Sequence, residues 1–166
     1  MTYSRFEELP VWQEAIHLVD EVYNMTESKG WPGSRSLRDQ LERAALSVSN
    51  NIAEGFERGT TNELLAFLYI ARGSAGEVRS MLCFIERREG FAYFKSQISD
   101  LKSIAESCSR QLRAWADHLQ NSDIKGQRHL NEKTKRQYNS RKGAMDFESE
   151  LMNRLPNSHP MRKGKE

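Results

Sequence analysis

The chain has 166 residues, of which 37% are hydrophobic and 29% charged, with a formal net charge of +2 at pH 7. Its length suits about one domain, and no stretch approaches the roughly 18 consecutive apolar residues of a membrane-spanning helix. Residues 1–120 hold 14 Lys and Arg against 17 Asp and Glu, whereas residues 121–166 hold 11 against 6. We therefore expect an acidic body with a basic tail. The N-terminus lacks a signal-peptide core, which favours a cytoplasmic location.

The sequence gives little support for metal or covalent chemistry. Cys83 and Cys108 are the only cysteines and form no CxxC pair, so two buried, reduced thiols are expected. A bundle that holds two metal ions needs inward carboxylates and two Glu-x-x-His pairs, and this chain has one, Glu14–His17. Helical projection places both residues on the solvent side. We expect no metal, no cofactor, no small-molecule substrate and no enzymatic activity.

Apolar residues recur at three- and four-residue spacing in four successive stretches, which predicts four helices. The first begins at Pro10 and runs to about residues 25–27, before two glycines and a proline interrupt the pattern. The second helix has Ser36 and Ser34 as alternative caps and ends near residues 58–59. Its core side is predicted to carry Leu37, Leu41, Ala44, Ala45, Val48, Gly55, Ile52 and Phe56.

The third and fourth helices complete the predicted body. The sequence Thr60-Thr61-Asn62-Glu63 is a capping box for a helix that extends to about residues 87–88. Its apolar arc of about 160° is wider than one bundle seam requires. A fourth amphipathic pattern runs from Phe94 to Leu119. Helices joined by short loops, with no strand pattern, predict an all-α antiparallel up-down-up-down four-helix bundle over residues 1–120.

The tail, residues 121–166, loses the apolar periodicity and is rich in Lys, Arg, Asn, Ser and Gln. Such a segment buries too little apolar surface to offset its conformational entropy, so it is predicted to be mostly disordered. One exception is residues 146–155, where Phe147, Leu151 and Leu155 are four apart. This stretch is interpreted either as a short helix that docks on a partner or as chance periodicity.

Small and apolar residues in unexpected places predict contacts between helices or between copies. Gly73 and Gly76 in the third helix are interpreted as part of a surface of small residues that another helix can approach closely. Gly55 is interpreted as the crossing point of the second helix. Leu46 and Ala53 project to the outer side of that helix, where an isolated bundle would leave them in water. These residues are predicted to lie in packing or oligomer contacts.

The polar residues of the second helix have two interpretations. Asn50, Asn51 and Glu54 could form a polar binding surface. Alternatively, Asn51 is a buried amide bonded by a neighbouring helix, which fixes helix register, and Glu54 pairs with Arg43 or Arg58. The second interpretation is favoured because buried polar groups must be paired.

Arginine outnumbers lysine in residues 1–120 and is the remaining signal for binding. The candidate nucleic-acid or partner-binding residues are Arg35, Arg38 and Arg43 on the second helix, and Arg72 and Arg79 on one edge of the third. Arginine suits phosphate recognition and interface ion pairs equally well. Because the body is net acidic, a broad electrostatic surface for nucleic acid is not expected there. A local patch acting with the basic tail is the alternative.

Two segments of the sequence resemble those of a known protein family. Residues 43–56 read Arg-Ala-Ala-Leu-Ser-Val-Ser-Asn-Asn-Ile-Ala-Glu-Gly-Phe, and residues 67–77 read Phe-Leu-Tyr-Ile-Ala-Arg-Gly-Ser-Ala-Gly-Glu. Together with residues 6–15, they resemble a bacterial four-helix-bundle family. That family includes proteins encoded in intervening sequences of large-subunit ribosomal RNA genes and the accessory variability determinant of diversity-generating retroelements. The resemblance covers about residues 5–119.

The resemblance implies a ring-shaped homopentamer without catalytic activity. Retroelement members of the family bind a reverse transcriptase and RNA through a basic surface. We therefore expect a non-enzymatic, homo-oligomeric scaffold or adaptor that binds RNA, a nucleic-acid enzyme such as a reverse transcriptase, or both. The alternative is a protein-only interaction module with no direct nucleic-acid contact. Neither function involves a membrane.

Overall fold

The structure, a computed structural model, describes residues 3–121 and 132–154. The chain divides into two compact units, Met1–Arg128 and His129–Glu166. Five α-helices lie in the described residues, which contain no β-strand, so the all-α prediction is confirmed. The helices are α1 (Pro10–Thr26), α2 (Arg35–Glu57), α3 (Thr61–Glu86), α4 (Lys95–Gln120) and α5 (Glu132–Arg154), with short 3-10 turns at Phe6–Glu8 and Glu89–Phe94.

Local signals in the sequence account for the starts of the first three helices. Pro10 occupies the first turn of α1, where its missing N–H costs nothing. Ser34, and not Ser36, caps α2, because the Ser34 hydroxyl accepts a hydrogen bond from the Leu37 N–H at 3.2 Å. At α3 the Thr60 hydroxyl accepts from the Glu63 N–H at 3.3 Å and donates to the Glu63 carboxylate at 2.7 Å.

The core of the first unit is built mainly from aliphatic side chains of all four of its α-helices. α1 packs against α2 and α4, and α3 also packs against α2 and α4. Of the side chains predicted for the core side of α2, Leu37 is half-buried and the others are buried. The largest side chains with almost no exposed surface are Leu18, Val22, Met25, Leu41, Ile52, Leu64, Leu68, Leu82, Ile85, Ile98, Leu101 and Leu112.

Glycines of α2 and α3 differ sharply in their surroundings. A Cβ atom added at Gly55 would lie 2.7 Å from Phe67 Cβ and 3.1 Å from Leu64 Cδ1, so α2 and α3 approach closely there. Gly73 and Gly76 are exposed, and no described heavy atom lies within 4 Å of a Cβ added at either position. The close approach inferred for these two glycines therefore does not occur within this unit. Contact with another copy stays a prediction.

The two cysteines also differ, which corrects the expectation of two buried thiols. Cys83 is exposed, whereas Cys108 is fully buried in α4. Burial raises the pKa of the Cys108 thiol to about 12, with a smaller contribution from the negative charge of Glu14. Glu14 is half-buried and not on the solvent side, whereas His17 is exposed as predicted. Among residues 3–121 and 132–154, no cluster of three or more metal-ligating side chains occurs.

The buried thiol makes stability dependent on alkaline pH. The unfolded chain releases the Cys108 proton above about pH 9, while the folded chain keeps it up to about pH 12. The contribution of Cys108 to stability is therefore complete below pH 9 and is lost as the pH rises towards 12. From pH 8 to pH 10, the free energy of unfolding of the wild type should fall by about 1 kcal/mol more than that of Cys108→Ala. Urea unfolding at both pH values measures this, with Cys83→Ala as the matched control. Equal losses in the wild type and Cys108→Ala would contradict it.

The second unit contains α5, which is longer than the sequence suggests. A short helix at 146–155 and disorder elsewhere in the tail are predicted, whereas α5 begins at Glu132. Good helix formers and pairs such as Glu150–Arg154 stabilise a helix without an apolar stripe. Phe147 and Met145 of α5 are exposed. Leu155 and the rest of the tail, 122–131 and 155–166, lie outside the described residues, so disorder there stays a prediction.

None of the helices described is long and apolar enough to cross a membrane.

Candidate binding surface on the second and third helices

The outward side of α2 carries a shallow groove, here called the α2 groove. Its lining residues recur at three- and four-residue spacing along the helix, as positions on one side of a helix do. They are Arg43, Leu46, Ser47, Asn50, Asn51 and Glu54. Leu46 and Ala53, the two outer apolar residues of α2, are both half-buried. The groove therefore combines a basic end at Arg43, an apolar patch at Leu46 and a run of amides.

A hydrogen-bond network holds the groove in shape and links it to α3. The Asn51 amide donates to the Ser47 carbonyl at 2.6 Å and to the Ser47 hydroxyl at 3.0 Å. The Ser47 and Ser74 hydroxyls share a hydrogen bond of 2.9 Å, and Ser74 also donates to the Ile70 carbonyl at 3.1 Å. Asn51 is thus bonded within its own helix and not by a neighbouring one. The link between α2 and α3 passes through Ser47 instead.

Carboxylates neutralise one arginine beside the groove but not the one that lines it. Glu54 pairs with Arg58 at 2.5 Å, which is one of the two partners proposed from the sequence. This hydrogen bond raises the pKa of Arg58, whose guanidinium also stacks 5.1 Å from the centre of the Phe67 ring. Arg43 donates from Nε to the Asp39 carbonyl at 3.2 Å. The ion pairs formed by the described residues do not include Arg43.

A second groove lies at the start of α2 and has mixed charge. Its lining comprises Glu27, Trp31, Gly33, Arg35, Arg38, Asp39 and Glu42. Arg35 forms an ion pair with Asp39 at 3.8 Å, and Thr26 donates to the Glu42 carboxylate at 2.6 Å. Three carboxylates face two guanidiniums in this groove, so it is not a general anion site. Arg38 is half-buried and lies outside the ion pairs of the described residues.

The two candidate arginines of α3 have different environments. Arg79 forms an ion pair with Glu106 of α4 at 3.7 Å, and Glu106 is shared with Arg110 at 3.3 Å. Arg72 is half-buried, and no ion pair joins it to another described residue. The five candidate arginines are therefore divided among the start of α2, the α2 groove and α3. They do not line a single groove.

The sequence predicts an apolar arc on α3 that is wider than the core requires, and the structure shows an exposed apolar surface on this helix. Tyr69 is 44% exposed and Ile70 is 51% exposed, although both lie in the middle of an otherwise well-packed helix. The Tyr69 hydroxyl accepts a hydrogen bond from the Gln120 amide at 2.7 Å. The wide apolar arc of α3 accounts for this surface, since one side of the arc cannot reach the core. Gly73 and Gly76 are exposed on the same helix.

Residues 7–114 match the family model of the 23S rRNA-intervening sequence protein. The chain belongs to this family. The matched residues include the α2 groove and the whole of α3, whereas α5 lies outside them. The resemblance drawn from the two segments of α2 and α3 is thereby confirmed.

A solved structure is similar to this chain in fold. It is the crystal structure of a protein of unknown function from the S23 ribosomal protein family of Bacteroides thetaiotaomicron, with a TM-score of 0.57 and 16% sequence identity. The alignment covers 64% of this chain and 97% of that chain. No curated protein matches the chain in sequence.

Proposed function

We propose that the protein is a non-catalytic, cytoplasmic scaffold that assembles as a homopentameric ring and binds RNA, an RNA-handling enzyme such as a reverse transcriptase, or both. Each protomer would contribute an antiparallel up-down-up-down four-helix bundle. The neighbour relations support this bundle, since α1 and α3 each pack against α2 and α4. The homopentameric ring is the assembly that the family resemblance of residues 5–119 implies.

The exposed apolar surfaces support self-association. Tyr69 and Ile70 of α3 expose about half of their surface, and Leu46 and Ala53 of α2 are only half-buried. Two different apolar surfaces on one protomer suit a heterologous contact, in which α3 of one copy packs against α2 of the next, and such contacts generate closed rings. Gly73 would allow the neighbouring helix to approach α3 closely.

The observation that carries the RNA-binding proposal is the set of arginines without a carboxylate partner. Arg38, Arg43 and Arg72 are held at or near the surface, and none of them enters an ion pair with another described residue. A guanidinium that is not neutralised within the protein can offer bidentate hydrogen bonds to phosphate. Arg35 and Arg79 are neutralised by Asp39 and Glu106 and are weaker candidates.

Salt-dependent RNA binding tests this proposal. We expect Arg43→Ala combined with Arg72→Ala to weaken binding of a structured RNA by about tenfold, and to lower the slope of log K against log salt by nearly two. The matched control is Arg35→Ala combined with Arg79→Ala, which removes the same charge from ion-paired positions and should change binding less. Fluorescence anisotropy at several salt concentrations measures both. Absence of RNA binding by the wild type at low salt would contradict the RNA-binding part of the proposal.

A second candidate function is a protein-only interaction module. It is favoured by the acidic balance of residues 1–120 and by the apolar character of the exposed Tyr69 and Ile70. In that case a partner protein would bind the assembled ring without nucleic acid. This function would be favoured over the first if the ring still bound a reverse transcriptase after nuclease treatment and the isolated ring bound no RNA.

A further inference from the structure

The carboxyl end of α3 carries a basic and aromatic surface that the sequence did not single out. A groove there, here called the α3-end groove, is lined by Ser80, Cys83, Phe84, Arg87 and Arg88. The lining contains two guanidinium groups and no carboxylate. Arg87 and Arg88 also line a neighbouring groove with Pro32, Glu89, Gly90 and Phe91. Both arginines are exposed, and a ligand in either groove can reach them.

The charges around the α3-end groove leave its arginines free to meet an anion. The ion pairs of the described residues include neither Arg87 nor Arg88. The carboxylate that precedes them, Glu86, is bonded to Lys102 of α4 at 2.8 Å, and this bond raises the pKa of Lys102. Glu86 is therefore occupied by a cation of its own. The complementary ligand for the groove is one that carries closely spaced negative charges.

An exposed aromatic ring beside one of these arginines indicates which class of anion the α3-end groove binds. Phe84 is 54% exposed, and the Arg88 guanidinium lies 5.9 Å from the centre of its ring. Tyr93, in the turn that follows α3, is 91% exposed. Exposed rings beside arginines are the elements with which proteins bind single-stranded nucleic acid, since bases stack on the rings while the cations contact phosphates. A duplex keeps its base faces stacked and cannot use an exposed phenyl ring in this way.

We infer that the α3-end groove binds a single-stranded segment of RNA, with a base stacked on Phe84 and phosphates bound by Arg87 and Arg88. The inference rests on the proposed RNA-binding function, and it specifies both the class of RNA and its place. It assigns a role to Phe84 of α3, to Arg87, its C-terminal cap, and to Arg88, the next residue. All three are separate from the α2 groove.

Cys83 provides a direct probe, because it lies in the groove and is exposed, whereas Cys108 is buried with a raised pKa. Iodoacetamide should therefore modify Cys83 alone in the folded, full-length protein. Oligouridylate should slow this modification at least about fivefold, and an RNA duplex of equal length should not. Phe84→Ala should weaken oligouridylate binding about tenfold and remove the protection, whereas Phe84→Tyr should retain both. Arg35→Ala is the control for a charge lost elsewhere.

The outcomes separate this inference from the function on which it rests. If oligouridylate binds, as measured by fluorescence anisotropy, but Cys83 is modified at an unchanged rate, the inference is wrong and RNA binding stands. If neither single-stranded nor duplex RNA binds at low salt, the proposed RNA-binding function fails, and the inference fails with it. If Cys83 is protected without RNA and becomes reactive on dilution, a second copy of the chain fills the groove and the inference is wrong.

Discussion

Replacing Gly55 by valine is expected to lower the free energy of unfolding by about 3 kcal/mol. A Cβ atom at this position would lie 2.7 Å from Phe67 Cβ, which is fixed to the backbone of α3 and cannot rotate away. The helices must therefore separate, and the contacts made by buried neighbours such as Leu64 and Ile52 would loosen. Urea unfolding followed by circular dichroism measures the change.

The matched control for Gly55→Val is Ala114→Val, which places the same side chain at an exposed position of α4 that the proposed contact between copies does not use. Valine has a lower helix propensity than alanine, so this variant should lose only about 0.5 kcal/mol. A Gly55→Val protein with wild-type stability would contradict the close approach of α2 and α3.

Ile70→Glu is expected to convert the proposed ring into monomers at micromolar concentration. Ile70 is 51% exposed in the protomer, so the glutamate remains solvated there and the fold should be retained. In the ring the same carboxylate would be buried against α2 of the next copy without a partner, which costs several kcal/mol. Because each protomer uses this surface once, every contact of the ring would be weakened.

Two controls accompany Ile70→Glu. Ala114→Glu introduces the same charge at an exposed position of α4, which the proposed contact does not use, and should leave the mass unchanged. Circular dichroism should show wild-type helicity for both variants. Retention of the wild-type mass by Ile70→Glu would place the contact between copies elsewhere on the protomer.

The helices of the first unit could be predicted from the sequence because their signals are local. Apolar spacing and a proline predict the start of α1, and a capping sequence predicts Thr60 as the N-cap of α3. The sequence indicates a helix crossing at Gly55, because the apolar pattern predicts a larger residue at this position. Gly55 does lie where α2 meets α3. These features depend on residues within a few positions of each other.

The parts that could not be predicted depend on how helices are rotated against one another. The ion pair of Arg79 with Glu106 joins residues on α3 and α4, and no local spacing indicates it. For the same reason helical projection places Glu14 on the solvent side, whereas the structure shows it half-buried near Cys108. The sequence predicts a possible helix only at 146–155 and not at the start of α5, because the earlier residues favour helix through propensity and ion pairs, while the apolar pattern is weak.

The mass of the full-length protein in solution tests the central claim of a ring most directly. Multi-angle light scattering at micromolar concentration should give a single species with the mass of five protomers of 19.2 kDa each. A single species of 19.2 kDa under the same conditions would contradict the ring and, with it, the proposed contact between α2 and α3 of neighbouring copies.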